Sequence, residues 1–392
     1  MTHETRSGGR RHWLLLLVLM LAAAALLVAG CGGDDDDEDG GGDGGAQAGI
    51  VDDAQAMIDQ AGEPLSFEPP GPAIDAAEAR GQTLAIIVVD ERVPTLASAA
   101  DAAEEAAQVA GIRTTRFDAQ ALLPRMLQGM AQATRDADAM ALYGIPIAAV
   151  GPALQEAQQA DVPVISVLNN QPEPNAPGQG AGPLIFASSA PDYRQGGALA
   201  AAKAVVDTDG EANVEIFNTE EITPSVDVVE GMRSVLDRCD GCEVSQNSTP
   251  LAEWSTALTG KAQAAIRENP DLNYILPIFD NMAIFITAGI QQGGASDRVQ
   301  NASFNGTPAA LELIQQDDVF TADPGQPNGW LGWHVVDQAL RGMLGEQPSD
   351  PRIPIRFLDD SNLEGIDVND IDAPYGDDLG YEEGFRQLWG VG

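Results

Sequence analysis

Lysine is almost missing from this chain: Lys203 and Lys261 are the only two in 392 residues. Lysine and arginine together number 20 against 60 aspartates and glutamates, for a formal charge of −40. Nucleic-acid binding draws its affinity from cationic side chains at phosphates, so the composition excludes a nucleic-acid partner. Anionic lipid is repelled for the same reason. Histidine is equally scarce, at His3, His12 and His334, and cysteine occurs only at 31, 239 and 242. There is no HExxH, GxSxG or Walker A sequence. The sequence therefore offers no catalytic set, no metal site and no cofactor motif, and the chain reads as a non-enzyme.

Long apolar runs are also rare. The run from Trp13 to Ala29 follows Arg6, Arg10 and Arg11 and ends in small residues. That order is the layout of a secretory signal over residues 1–30. A membrane span needs roughly 20 apolar residues, and this run is slightly short. Arg10-Arg11 also permits twin-arginine export. Cys31 directly after the small residues resembles the lipobox of bacterial lipoproteins. The resemblance implies a lipidated (palmitate-type) Cys31 at the mature N-terminus. The protein would then sit on the outer face of the cytoplasmic membrane, in the cell envelope or periplasm. With surface charge repelling lipid, the membrane link would be the lipid itself.

Residues 32–39 are Gly-Gly-Asp-Asp-Asp-Asp-Glu-Asp, with more glycine to Ala46. Like charges mixed with glycine bury no apolar surface. Residues 31–80 are therefore expected to be a tether and linker. Cys239 and Cys242 form Cys-Asp-Gly-Cys. In a cytosolic protein this spacing reads as a redox pair or half a zinc site. Outside the cell it reads as a local disulfide closing a turn.

From Gln82 onward, apolar β-type runs alternate with alanine-rich amphipathic stretches. Strands are expected at 84–89, 112–117, 138–142, 162–167 and 184–187, with helices at 94–110, 120–135 and 145–160. A Pro/Gly/Asn-rich stretch at 169–183 interrupts the rhythm, and its Gly178-Gln179-Gly180 reads as a plain loop because no helix follows it. The alternation restarts near Ser188. Helices are expected at 191–206, 223–237, 253–268, 281–292, 308–315 and 328–344. Strands are expected at 213–217, 243–247, 273–278, 299–304, 319–322 and 353–358, and residues 381–389 read as a short helix. Alternation of this kind makes βαβ units and parallel sheets. The fold class is α/β, with two Rossmann-like parallel-sheet lobes in tandem.

In open α/β sheets, ligands bind beyond the carboxyl ends of the strands. The candidate binding residues are therefore Asp90 and Arg92, Tyr143, and Asn169 and Asn170 in the first lobe. In the second they are Asn218, Phe279, Asp280 and Asn305, with Gln326 at the next crossing. Amides both donate and accept hydrogen bonds, and rings stack on apolar C–H faces, so this set suits a neutral polar solute. Asp280 also reads as the N-cap of the helix that follows. Trp330 and Trp333, on a helix, read as core aromatics. His334, mid-helix, reads as structural.

On these elements the chain resembles the type I periplasmic binding proteins, the ribose/galactose-type solute receptors of ABC importers. The resemblance runs from about Gln82 to Leu363. It is carried by Ala160-Asp161-Val162-Pro163-Val164-Ile165, by Asp192-Tyr193 with Gly196, and by Glu230-Gly231-Met232. Asp280 through Ala283, Phe304-Asn305-Gly306-Thr307-Pro308 and Gln326 continue it. It implies two lobes joined by three chain crossings, here near 188–191, 323–326 and 358–362, that close on a ligand as a hinge. The first lobe would be 81–188 plus 327–357, the second 189–326, and 358–392 a hinge return and acidic tail. It also implies a monomer that delivers a carbohydrate-like solute to an ABC permease. The sequence departs from the family's pattern at Asn305, Phe279, Val226 and Leu168-Asn169-Asn170, where charged or polar groups are usual. These departures suit a ligand with fewer hydroxyls or stronger stacking, such as a nucleoside, a modified sugar or a cyclic polyol. A sensory module presenting its ligand to a receptor kinase or chemoreceptor would share fold and tether. A lactose-repressor-type regulator would need a DNA-binding helix-turn-helix where this chain has a signal and an acidic run.

Overall fold

The computed structural model describes residues 43–169, 171, 184–316 and 319–392. Cys31, Asn170 and Gly178-Gln179-Gly180 lie outside the described residues. The first half runs α1 (Asp43–Gly62), β1 (Thr83–Val88), α2 (Pro94–Ala110), β2 (Arg113–Asp118) and α3 (Leu123–Asp136), then β3 (Ala139–Tyr143), α4 (Gly151–Gln159), β4 (Val164–Val167) and β5 (Ala187–Pro191). Next come α5 (Tyr193–Asp207), β6 (Asn213–Asn218), α6 (Pro224–Leu236), β7 (Glu243–Ser248) and α7 (Trp254–Glu268). These lead into β8 (Tyr274–Pro277), α8 (Asp280–Gln292), β9 (Gln300–Ala302), α9 (Pro308–Gln316) and β10 (Phe320–Ala322). The last elements are α10 (Asn328–Leu344), β11 (Arg352–Ile353), α11 (Asp360–Leu363) and α12 (Tyr381–Leu388).

The strands make two parallel sheets, ordered β2-β1-β3-β4-β5-β11 and β7-β6-β8-β9-β10. All of β1 and β3 is buried, as a sheet covered on both faces requires. Each sheet starts its strand order 2-1-3, so each has a switch point where consecutive connections leave in opposite directions. The switch points lie between β1 and β3 in the first lobe and between β6 and β8 in the second.

The chain passes between the sheets three times. The first passage is at β5 to α5 and the second at β10 to α10. The third begins ahead of residues 358–362: Ile353 pairs with β5 of the first sheet, whereas Ile355 and Phe357 are buried in the second lobe's core. The strand expected at 353–358 is therefore only two residues long. Pro354 has no N–H to extend the ladder, and the chain switches lobes there. The hinge segments are then paired to each other by Arg356 N–H to Gly325 O and Gly325 N–H to Arg356 O, both at 2.9 Å.

The segment from 43 to 80 differs from an open linker. Ile50, Ala54 and Ile58, four residues apart on one face of α1, are buried in the second lobe's core, where α1 packs on α5. Beyond α1 the chain crosses to the first lobe. The amides of Leu65, Phe67 and Ile74 donate to the carbonyls of Tyr375, Leu379 and Leu388 at 2.9, 3.0 and 2.8 Å. Nor is the stretch after residue 358 a loose tail. Gln315 Nε2 donates to the carbonyls of Leu363 and Ile366 on the second lobe. The chain then returns to the first lobe, where Phe385 and Trp389 are fully buried. Among the described residues no helix is long and apolar enough to cross a membrane.

Candidate ligand-binding site

A cavity of about 230 Å³ lies where the carboxyl ends of the two sheets meet. From the first lobe, Val89 and Gly144 line it just past β1 and β3, at the switch point. Val93 and Leu96 join them from the start of α2, with Pro146, Leu168 and Asn169 from the loops after β3 and β4. From the second lobe come Phe279 and Asn281 after β8, Asn305 after β9, and Tyr193 at the start of α5. Ile222, Pro224, Leu251 and Trp254 close that side, with Glu221 at the rim.

Of the residues expected to bind ligand, Asn169, Phe279 and Asn305 line this cavity. Asn169 is buried and donates Nδ2 to the carbonyl of Ile145 at 2.5 Å, so its amide nitrogen is engaged by the protein. Asp90 and Arg92 do not line it. Arg92 folds back on Asp90, with Nη2 to Oδ2 at 2.6 Å, and its side chain is 82% exposed. That guanidinium holds the Asp90 carboxyl below its ordinary range. Arg116 is similarly enclosed by Glu91, Asp101 and Glu104. Tyr143 is a core residue whose hydroxyl ionises only well above its usual range because it is buried. Asn218 is buried behind Thr219, outside the cavity wall, with Oδ1 unpartnered. Gln326 is fully buried at the second crossing, where Nε2 reaches Asn328 Oδ1 at 3.3 Å.

Asp280 points away from the cavity. Its Oδ1 accepts from Ser303 Oγ at 2.7 Å, and Oδ2 accepts from the Thr307 amide and hydroxyl at 2.7 and 2.6 Å. It thus pins the 303–307 turn rather than capping its helix, whose N-cap is Phe279. Asp323, on the second crossing, is its buried neighbour. Neither Asp323 oxygen finds a hydrogen-bond donor among the described residues. Burial, and then the charge of Asp280, push the Asp323 carboxyl well above its ordinary range, and burial raises that of Asp280 as well.

The wall residues that strand-end reasoning missed are mainly apolar. Trp254 turns its indole N–H away from the ligand space, to Thr219 Oγ1 at 2.8 Å and the Thr249 carbonyl at 3.2 Å. Leu168 has φ 51°, in the left-handed region, a conformation that costs a leucine roughly 1–2 kcal/mol. Its amide is held by the Ser189 carbonyl at 3.0 Å. Trp330 and Trp333 are core residues, stacked on Tyr381 and Trp389. His334 is buried between Ser189 Oγ at 2.8 Å and the Asp350 carbonyl at 2.7 Å, and burial lowers its pKa. Cys239 and Cys242 are joined by a disulfide after α6, with Cα atoms 5.2 Å apart. Among the described residues no group of three His, Cys, Asp or Glu could hold a metal ion.

The model of the periplasmic binding protein domain matches residues 85–347, which take in the cavity and all of both sheets but β11 and the first two residues of β1. The chain belongs to that family. Its fold is that of the family's type I, ribose/galactose-type members. A solute-binding protein of an ABC transporter from Agrobacterium vitis, bound with alpha-D-tagatopyranose, superposes with a TM-score of 0.67 at 17% identity, covering 74% of this chain and 99% of that one. The 5-methylthioribose transporter solute-binding protein from Thermotoga lettingae, in complex with 5-methylthioribose, gives 0.67 at 18%, covering 79% and 98%. A myo-inositol-bound solute-binding protein from Bacillus halodurans gives 0.65 at 18%, covering 76% and 99%. No curated protein sequence matches the chain significantly. The parts outside the family match, α1 and residues 348–392, pack on both lobes and on the hinge between them.

Proposed function

We propose that this protein is an extracytoplasmic solute-binding receptor that captures a small sugar-like compound between its lobes and hands it to an ABC permease. The observation that carries the reading is the cavity walled by both lobes at their switch points, on a chain of this family. Binding there couples to hinge closure, because a ligand touching both walls favours the closed arrangement over the open one. The relatives of the same fold that are bound with a sugar, a thiosugar and a cyclic polyol support a solute of that size. Asp90, Arg92, Tyr143, Asn218, Asp280 and Gln326 act on this reading from outside the wall, while Asn169, Phe279 and Asn305 touch the solute. Native mass spectrometry of the purified full chain tests the capture step. A co-purified mass of sugar size supports it. Absence of any adduct, with no thermal shift across a carbohydrate and nucleoside panel, refutes it.

The Cys31 segment gives the receptor its place. A diacyl chain on Cys31 would hold the domain at the outer face of the cytoplasmic membrane, and the acidic residues after it would extend by self-repulsion. Cys31→Ser should abolish incorporation of labelled palmitate and shift the protein from the membrane to the soluble fraction. Retention of the variant in the membrane fraction would overturn the lipid anchor.

A further inference from the structure

The cavity is built for carbon as much as for hydroxyls. Val93, Leu96, Pro146 and Leu168 face it from the first lobe, and Ile222, Leu251, Trp254 and Phe279 from the second. Part of the polar edge that these walls do carry is engaged within the protein. The Trp254 N–H is bonded inward, the Asn169 amide nitrogen is held by Ile145, and the Glu221 carboxylate accepts from the Leu251 amide at 2.9 Å. No lysine, arginine or histidine lines the cavity. The nearby charges at Asp90, Arg92, Glu91 and Arg116 neutralise one another outside it. An ionised or densely hydroxylated ligand would leave water-stripped polar groups unpaired here, which costs more than the contacts return.

Few polar groups are still on offer, Thr95 and Thr223 among them. Tyr193 lines the cavity with a fully buried hydroxyl that has no partner among the described residues. Tyr193 and Phe279 both pack on Phe304, with ring centroids 6.2 and 6.4 Å away. Phe304 is the chain neighbour of Asn305, and Asn281 follows Phe279 two residues on. The hydroxyl and two amides thus lie near one another, and the aliphatic side chains of Leu96, Pro146, Leu168 and Leu251 make up much of the remaining wall, with Thr95, Thr223 and Glu221. Leu168 is held in the left-handed region at this wall, where strain marks functional positions.

We propose that the ligand is an uncharged, sugar-sized ring bearing an apolar substituent, alkyl, thioalkyl or aryl. Its ring hydroxyls meet Tyr193, Asn281 and Asn305, and its substituent is seated against Leu96, Pro146, Leu168 and Leu251. This inference rests on the receptor reading above and adds the ligand's class to it. Two matched pairs test it by calorimetry on the purified full chain: ribose against 5-methylthioribose, and glucose against phenyl β-glucoside. The substituted member of at least one pair should bind at least tenfold more tightly than its parent. Leu251 is 43% exposed at the rim, so Leu251→Gln should fold normally. That variant should reduce the preference for the substituted member at least threefold. Equal or tighter binding of both parents would overturn the inference and leave the receptor reading standing, as would an unaltered preference in the variant. If no member of either pair binds and no ligand co-purifies, the receptor reading fails and the inference with it.

Discussion

The indole of Trp389 lies flat on that of Trp333, with ring centroids 5.5 Å apart and planes 9° from parallel. The same indole donates Nε1 to Asp337 Oδ1 at 3.0 Å. Asp337 also accepts from Arg341 Nε at 2.8 Å and from Ser349 Oγ at 2.7 Å, all within a buried site. The segment after α12 is therefore wired into the first lobe through one carboxylate. Trp389→Ala removes both the stacked ring and a donor, and truncations of this kind cost about 3–5 kcal/mol. Urea denaturation followed by circular dichroism should show a loss of that size. Trp389→Phe keeps the ring and should lose less, and a loss under 1 kcal/mol for Trp389→Ala would mean that the segment is dispensable.

Leu168 makes an opposite prediction. Truncating a buried leucine ordinarily costs about 2–5 kcal/mol. Here the left-handed backbone is itself unfavourable, and asparagine tolerates it. Leu168→Asn should therefore change stability by only about 1 kcal/mol in either direction, while weakening ligand binding several-fold. Thermal unfolding of the apo protein and a titration with co-purified ligand would check the two halves separately.

The Asp280–Asp323 pair ties stability to pH. A carboxyl whose pKa is raised by folding keeps its proton in the folded state where the unfolded chain has already lost it. The stability from this group is intact below the unfolded value, 3.8, and declines as pH rises through the raised folded value. Asp280 and Tyr375 are its titratable neighbours. Asp323→Asn removes the titration, so its stability relative to the wild type should increase as pH rises from 4 to 8. A difference that stays flat over that range would show that folding does not raise the Asp323 carboxyl.

Gly231, in a family-like segment, and Gly197, next to Gly196, have a packing reason. A Cβ on Gly231 would meet the Arg194 carbonyl oxygen at 2.1 Å, and one on Gly197 would meet that of Val228 at 2.1 Å. α5 and α6 thus touch backbone to backbone, and neither carbonyl can swing aside as a side chain could. Gly231→Ala should destabilise by about 1–3 kcal/mol or more, read from a chemical denaturation midpoint. Gly260→Ala, where nothing lies within 4 Å, is the matched control and should be neutral or slightly stabilising.

Much of this architecture is legible in the chain because buried parallel strands are apolar without interruption. β1, β3, α2 and α10 emerge from the sequence within a residue or two of where they lie. α1 is harder to read because its neighbourhood is rich in glycine and aspartate, and only the spacing of Ile50, Ala54 and Ile58 betrays a buried face. The run at 353–358 reads as one strand because its apolar residues are continuous, yet they are shared between two cores. At the site, strand-end logic reaches Asn169, Phe279 and Asn305. It overlooks Leu96, Pro146, Leu168, Leu251 and Trp254 because an apolar residue in a cleft wall is indistinguishable in sequence from one in a core. It also names Asp90, Arg92 and Asp280, whose side chains are paired within the protein and do not line the cavity.

Because the first lobe takes β1–β5, then α10 and β11, and finally Phe385 and Trp389, its core includes residues made after the whole of β6–β10. Ribosomal synthesis proceeds from the N-terminus, and domains usually fold in that order. Here the first lobe cannot close before the second has been synthesised, and α1 must wait for α5. Neither lobe corresponds to a contiguous fragment, so no single cut yields an independently folding half. Both cores wait on residues made after β10: Ile355 and Phe357 for the second, Phe385 and Trp389 for the first.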